Sequence, residues 1–165
     1  MGEKVWIKIV TSMMLTFVLM GTLSLPSRAE PLETSAVSAI LMDAASGDIL
    51  SQKNPHERRE PASITKIMTM LLAFEAVEAG TLSLDEEVII SEQAHNEVHT
   101  DGSVVFLEMG EKRTVEELLI GVAVGSGNDA CIALAERIAG SESQFVDLMN
   151  QRAKELGMND THLVN

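Results

Sequence analysis

A single cysteine, Cys131, stands in the 165-residue chain. One thiol closes no intrachain disulfide, so stability must come from packing. Cys131 lies between Ala130 and Ile132 in an apolar, helix-like stretch, which fits a buried structural thiol better than a reactive one. No C-x-x-C, H-E-x-x-H or paired-histidine spacing is present, so no metal site is indicated. No G-x-S-x-G surrounds any serine, and His56, His95, His99 and His162 sit in polar, loop-like stretches, so a Ser-His-Asp hydrolase is disfavoured. Basic charge is scarce as well: 12 Lys and Arg face 25 Asp and Glu, for a net charge of −13. So acidic a chain argues against a nucleic-acid partner. There is no internal repeat and no low-complexity segment.

Long apolar runs are few, and one opens the chain. Lys4 and Lys8 form a basic head, Ile9 to Leu25 is mostly apolar, and Pro26 with Ser27-Arg28-Ala29 follows. That order of parts reads as a secretory signal peptide over residues 1–29, cut after Ala29. The alternative is an uncleaved anchor, although a spanning helix usually wants about 20 apolar residues. Either way, residues 30–165 face the outside of a membrane. They carry 9 basic and 24 acidic residues.

Ala36 to Met42 and Ile49 to Gln52 read as two strands joined by Ser-Gly turn chemistry within Asp43 to Asp48, a hairpin. Ser63 to Ala79 is apolar nearly all round, which predicts a helix in the middle of a domain, ended by Gly80. Glu87 to Ile90 is a further short strand, and Glu92 to Gly110 is expected to be irregular around a buried Val104-Val105-Phe106-Leu107 patch. Thr114-Val115-Glu116-Glu117 is a capping box opening a helix to about Val122. Asn128 or Asp129 caps the next helix, which stops near Gly140, and Ser141-Glu142-Ser143-Gln144 opens another that ends at Gly157. The class is α+β, a hairpin followed by a helical portion. With few strands and an abrupt end at Asn165, residues 30–165 are expected to be the N-terminal part of a larger catalytic domain.

Ser63-Ile64-Thr65-Lys66 fits S-x-x-K, where lysine serves as the base of an acylating serine. Positions i and i+3 share a helix face, so the amine can reach the hydroxyl. A serine near a helix start also has unpaired N–H groups and the positive dipole end beside it, which favour an oxyanion. Burial beside an apolar helix moves the lysine toward its neutral, basic form. With 14 serines and 6 lysines, chance alone supplies about 0.5 such matches, so a capping Ser63 with a snorkelling Lys66 stands as the bland alternative. Ser126-Gly127-Asn128 fits S-x-N, and chance again supplies about 0.5 matches. Its serine can relay a proton to a leaving amine, and its amide can hold Lys66 and a substrate peptide group. A plain Ser-Gly-Asn turn is the alternative there. The two motifs together, in order and at helix edges, weigh far more than either alone.

Pro61 to Thr69 resembles the nucleophile segment of the low-molecular-mass penicillin-binding proteins, the serine D-Ala-D-Ala carboxypeptidases. Gly125-Ser126-Gly127-Asn128-Asp129-Ala130 is similar to their second motif. The hairpin phrase Asp43 to Leu50, Phe106-Leu107-Glu108 before Gly110, and Lys154 to Met158 with Thr161-His162 and Asn165 match too. The resemblance implies the penicillin-binding serine peptidase fold. It implies Ser63 as acyl-ester nucleophile, Lys66 as proton acceptor, Ser126 as proton relay and Asn128 as a substrate-binding residue. The substrate implied is a peptidoglycan stem peptide ending in D-Ala-D-Ala, with β-lactams as inhibitors and no metal or organic cofactor. It further implies an exported protein at the outer face of the bacterial membrane, associated with that surface in its full-length form.

One departure matters. The family's third motif, Lys-Thr-Gly on a strand, is absent, so residues 30–165 alone are expected not to hydrolyse such substrates. Two other readings stand beside this one. A class A β-lactamase would use Glu155 and Asn159, whose spacing is suggestive but whose position is too close behind Ser126. A non-catalytic cell-wall scaffold is the other, against which the intact Ser63, Lys66, Ser126 and Asn128 count.

Overall fold

The computed structural model describes residues 33–99 and 101–164. The segment read as a signal peptide, residues 1–29, lies outside the described residues, as does Asn165. Among the described residues no helix is long and apolar enough to cross a membrane. The chain divides into two compact units, Met1–Arg59 and Glu60–Asn165.

The described part of the first unit is the expected hairpin. Strands β1 (Ala39–Met42) and β2 (Ile49–Lys53) pair antiparallel, with Ala39 opposite Lys53 and a register shift between Leu41 and Met42. Asp43 shapes the turn: its Oδ1 accepts the N–H groups of Ala45 at 3.0 Å and Ser46 at 2.8 Å. Those bonds hold the Asp43 carboxyl below its usual range, the Ser46 N–H contributing most. Gly47 supplies the positive φ, +77°, that the reversal needs.

The second unit is mainly helical. A 3₁₀ turn, Ala62–Thr65, leads into α1 (Lys66–Glu78). Next come β3 (Glu87–Ile89), α2 (Glu92–Asn96), a 3₁₀ turn Glu97–His99 and β4 (Lys112–Thr114). Helices α3 (Val115–Gly125), α4 (Asn128–Ala139) and α5 (Glu142–Glu155) complete it. β3 pairs antiparallel with β4, placing Glu87 against Thr114 and Ile89 against Lys112.

The centre of this unit is α4, not the Ser63–Ala79 helix. α4 touches α1, α2, α3 and α5, and Ala130, Ala133, Leu134 and Ala135 are all at most 3% exposed. Its small side chains let four neighbours approach closely, which total hydrophobicity does not reveal. α1 lies on the flank: Met68, Leu72 and Ala73 are buried, but Ile67 and Phe74 are exposed. One cluster joins Leu118, Val122, Ala130 and Leu134 to Val88 and Ile90 of the sheet edge. A second packs Met68 and Leu72 against Phe145, Met149 and Ala153.

The capping expectations fare unevenly. Thr114 and Glu117 form the complete box at the start of α3, the helix continuing to Gly125 rather than stopping near Val122. Ser141 caps α5 by accepting the Gln144 N–H at 3.2 Å, and Gly140 closes α4 at φ +86°. The N-cap of α4 is Gly127, because Asp129 is committed elsewhere. The stretch expected to be irregular contains α2, capped by Ser91, whose Oγ accepts the Ala94 N–H at 3.0 Å. The sequence predicts Phe106 in a buried patch, yet it is 72% exposed at φ +61° while Leu107 beside it is buried. His95 is half-buried on α2 rather than free in a loop: its Nδ1 meets the Leu107 carbonyl at 2.8 Å.

Candidate active site

Ser63 sits on the 3₁₀ turn and Lys66 is the first residue of α1. The tight turn swings residue i+3 under residue i, and the Lys66 ammonium donates to Ser63 Oγ at 3.3 Å. Such contacts are commonly long before substrate arrives. Ser63 is exposed and Lys66 half-buried. Ala62, directly before the nucleophile candidate, holds φ +47°. A side-chain-bearing residue in that region is held there by its surroundings.

Both residues line a cavity of about 510 Å³. Asn128, the first residue of α4, lines it too, so the third residue of S-x-N shares one cavity with both ends of S-x-x-K. Cys131 and Ile132 follow Asn128 on the same helix face and continue the wall. Phe145, Val146 and Met149 of α5 make a more apolar portion, and Gly102 and Ser103 contribute a loop edge. Ser126 is not in the lining. It ends α3 in the left-handed conformation, φ +54° and ψ +33°, and its Oγ is buried with no hydrogen-bond partner among the described residues.

Cys131 is a half-buried thiol beside Lys66 and Thr69. Burial pushes it up to about 11, with the Lys66 charge and a hydrogen bond to Thr69 pulling the other way. At neutral pH it is a protonated thiol, in keeping with a structural role, and it stands on the cavity wall. A helical stride from Asn128 to Cys131 to Ala135 was the available signal.

The sequence offers Asp129 only as a candidate helix cap. It is 1% exposed, and its carboxylate accepts the N–H groups of Val105 and Leu107 at 3.1 Å and of Ala130 at 2.9 Å. Glu155 and Asn159 fall outside the cavity lining. Glu155 accepts from Gln151 at 3.0 Å and Arg152 at 3.2 Å on the exposed end of α5, so nothing places it where a deacylating water would sit.

The comparisons with known proteins agree with one another. A family profile described as D-alanyl-D-alanine carboxypeptidase matches residues 26–165. The chain is 48% identical over 138 residues to D-alanyl-D-alanine carboxypeptidase DacF of Bacillus subtilis, covering 84% of this chain and 35% of that protein. Among solved structures, DacD from Francisella tularensis is similar with a TM-score of 0.78 and 47% identity, over 84% of this chain and 33% of that one. Penicillin binding protein 6B from Escherichia coli is similar at a TM-score of 0.79 and 40% identity, over 86% and 45%. The chain thus spans about a third of the length of the curated relatives it matches. On this fold, at this identity, and with the match running through both motifs, the chain belongs to the D-alanyl-D-alanine carboxypeptidase family of peptidases.

Proposed function

We propose that this chain supplies the acylating part of a serine-type D-alanyl-D-alanine carboxypeptidase acting on peptidoglycan stem peptides. The observation that carries the reading is the Lys66–Ser63 contact at 3.3 Å, in a cavity that Asn128 also lines. Lys66 takes the Ser63 hydroxyl proton as Oγ attacks the carbonyl of the penultimate D-Ala. The tetrahedral species collapses, the terminal D-Ala departs as an amine, and Ser126 relays the proton it needs. Asn128 holds the substrate's peptide group and keeps Lys66 aligned. Water then hydrolyses the Ser63 ester, with Lys66 again taking the proton. A β-lactam opens on Ser63 by the same attack and remains as a slow acyl-enzyme. No step calls for a metal or an organic cofactor. The protein acts outside the cytoplasmic membrane, exported by residues 1–29 and associated with the membrane surface in its full natural length.

The test is a fluorescent penicillin added to the gene product in that full length. A one-to-one adduct on the Ser63 peptide, absent in Ser63→Ala, is the expected result. A wild type that takes no label, while hydrolysing no D-Ala-D-Ala peptide, would sink the reading. Residues 30–165 alone are expected to stay unlabelled.

A further inference from the structure

We infer that Asp129 is a positioning residue for the Ser63 site, acting through the segment 102–107; this rests on the acyl-transfer reading above. The segment has no helix or strand of its own between the 3₁₀ turn Glu97–His99 and β4. Its backbone is nonetheless gripped at four points. The Asp129 carboxylate takes the N–H of Val105 and of Leu107. His95 Nδ1 meets the Leu107 carbonyl at 2.8 Å, so both polar groups of that residue are held by side chains. Asn128 donates its own N–H to the Ser103 carbonyl at 2.7 Å, the shortest of these links and the one that touches the cavity directly.

Shape completes the grip. The Val105 side chain sits in a notch left by three glycines of the α3–α4 junction. A Cβ on Gly125 would come within 2.5 Å of Val105 Cγ1, and one on Gly127 or Gly121 within 3.1 or 3.3 Å. Phe106, between the two pinned residues, keeps φ +61°, a conformation a bulky residue adopts only when its neighbours over-determine it.

The consequence reaches the reacting groups without Asp129 touching them. Gly102 and Ser103 form part of the wall of the cavity that Ser63, Lys66 and Asn128 share. The residue that follows Asn128 therefore sets where that wall stands, and the wall returns a hydrogen bond to Asn128. A misplacement of positioned reacting groups by about 1 Å can cost about 100-fold in rate.

The experiment uses the protein in its full natural length and two independent disturbances. Asp129→Asn keeps the volume but offers one acceptor oxygen where two served three N–H groups. Gly125→Ala drives a methyl into Val105, and Gly125→Ala combined with Val105→Ala removes the collision. Hydrogen exchange is read at the Val105 and Leu107 amides, and the rate constant for Ser63 acylation by fluorescent penicillin is read separately from the affinity of the preceding complex. Expected are faster exchange at both amides in Asp129→Asn, unchanged exchange at Leu118 and Val122, and acylation slowed about 10- to 100-fold with affinity little altered. Gly125→Ala should slow acylation and the double variant should recover it. Acylation at the wild-type rate in a folded Asp129→Asn whose amides have opened overturns the inference, as does a Gly125→Ala defect that Val105→Ala fails to relieve. An unlabelled wild type instead overturns the acyl-transfer reading on which this one stands.

Discussion

Lys66 Nζ lies 3.3 Å from Ser63 Oγ across the junction of a 3₁₀ turn and the first turn of α1. The relationship is local, set by three residues of backbone, so it survives most changes elsewhere. Lys66→Arg tests its chemistry rather than its charge. Guanidinium stays protonated at any physiological pH and cannot accept the serine proton. Acylation by a penicillin is expected to fall about 100- to 10,000-fold, measured by stopped-flow on the full-length protein. Retention of more than a tenth of the wild-type rate would remove Lys66 from the role of base.

Cys131 gives a second handle on the same cavity. Its folded-state value near 11 stands above the 9.0 of an ordinary thiol, which leaves about 100-fold less thiolate at pH 8. Alkylation by iodoacetamide is therefore expected to be slow at pH 8 and still rising at pH 10. Mass spectrometry across that range checks it, and a rate that levels off by pH 9 would contradict the burial argument. Once alkylated, Cys131 carries added bulk beside Lys66, and Ser63 should lose its reactivity toward penicillin in step.

What could be read from the sequence was local. The Asp43–Gly47 turn, the Thr114 and Ser141 caps and the two motifs each depend on residues within a few positions, where side-chain chemistry decides the backbone. β4 is Lys112-Arg113-Thr114, three polar residues with no alternation, and it exists because β3 and the start of α3 lie beside it. α2 is five residues with one buried side chain, too short to show a period. The misplaced centre has a different cause. Apolar content picked out α1, whereas close approach of neighbours depends on the alanines of α4. Asp129 was hidden for the plainest reason: its partners Val105 and Leu107 lie 24 and 22 residues earlier.

Phe106 offers a test of stored backbone strain. Its ring is 72% exposed and its φ is +61°, so little packing is lost on truncation. Left-handed backbone costs a residue bearing Cβ roughly 1–2 kcal/mol, against roughly 0.5–1 kcal/mol of extra chain entropy for glycine. Phe106→Gly should therefore melt at or slightly above the wild-type temperature. A clear drop in the calorimetric midpoint would mean that the ring makes contacts that outweigh the strain.

Arg137 on α4 pairs with Glu86 just before β3, Nη2 to Oε2 at 2.9 Å, with a further bond to the Thr81 carbonyl at 3.3 Å. The hydrogen bond to Arg137 holds the Glu86 carboxyl below its ordinary value of 4.5, against a smaller opposing effect of burial. A depressed carboxylate value stabilises the fold above the unfolded-state value, and that contribution fades as pH falls through the folded-state one. At pH 7 the pair thus contributes in full, and in acid it does not. Arg137→Leu should lower the urea midpoint at pH 7, and the gap to wild type should narrow steadily below pH 4.5 as Glu86 takes its proton. Urea titrations at pH 7, 4 and 3 decide the matter, for a gap that stays constant into acid would assign Arg137 a packing role in place of an electrostatic one.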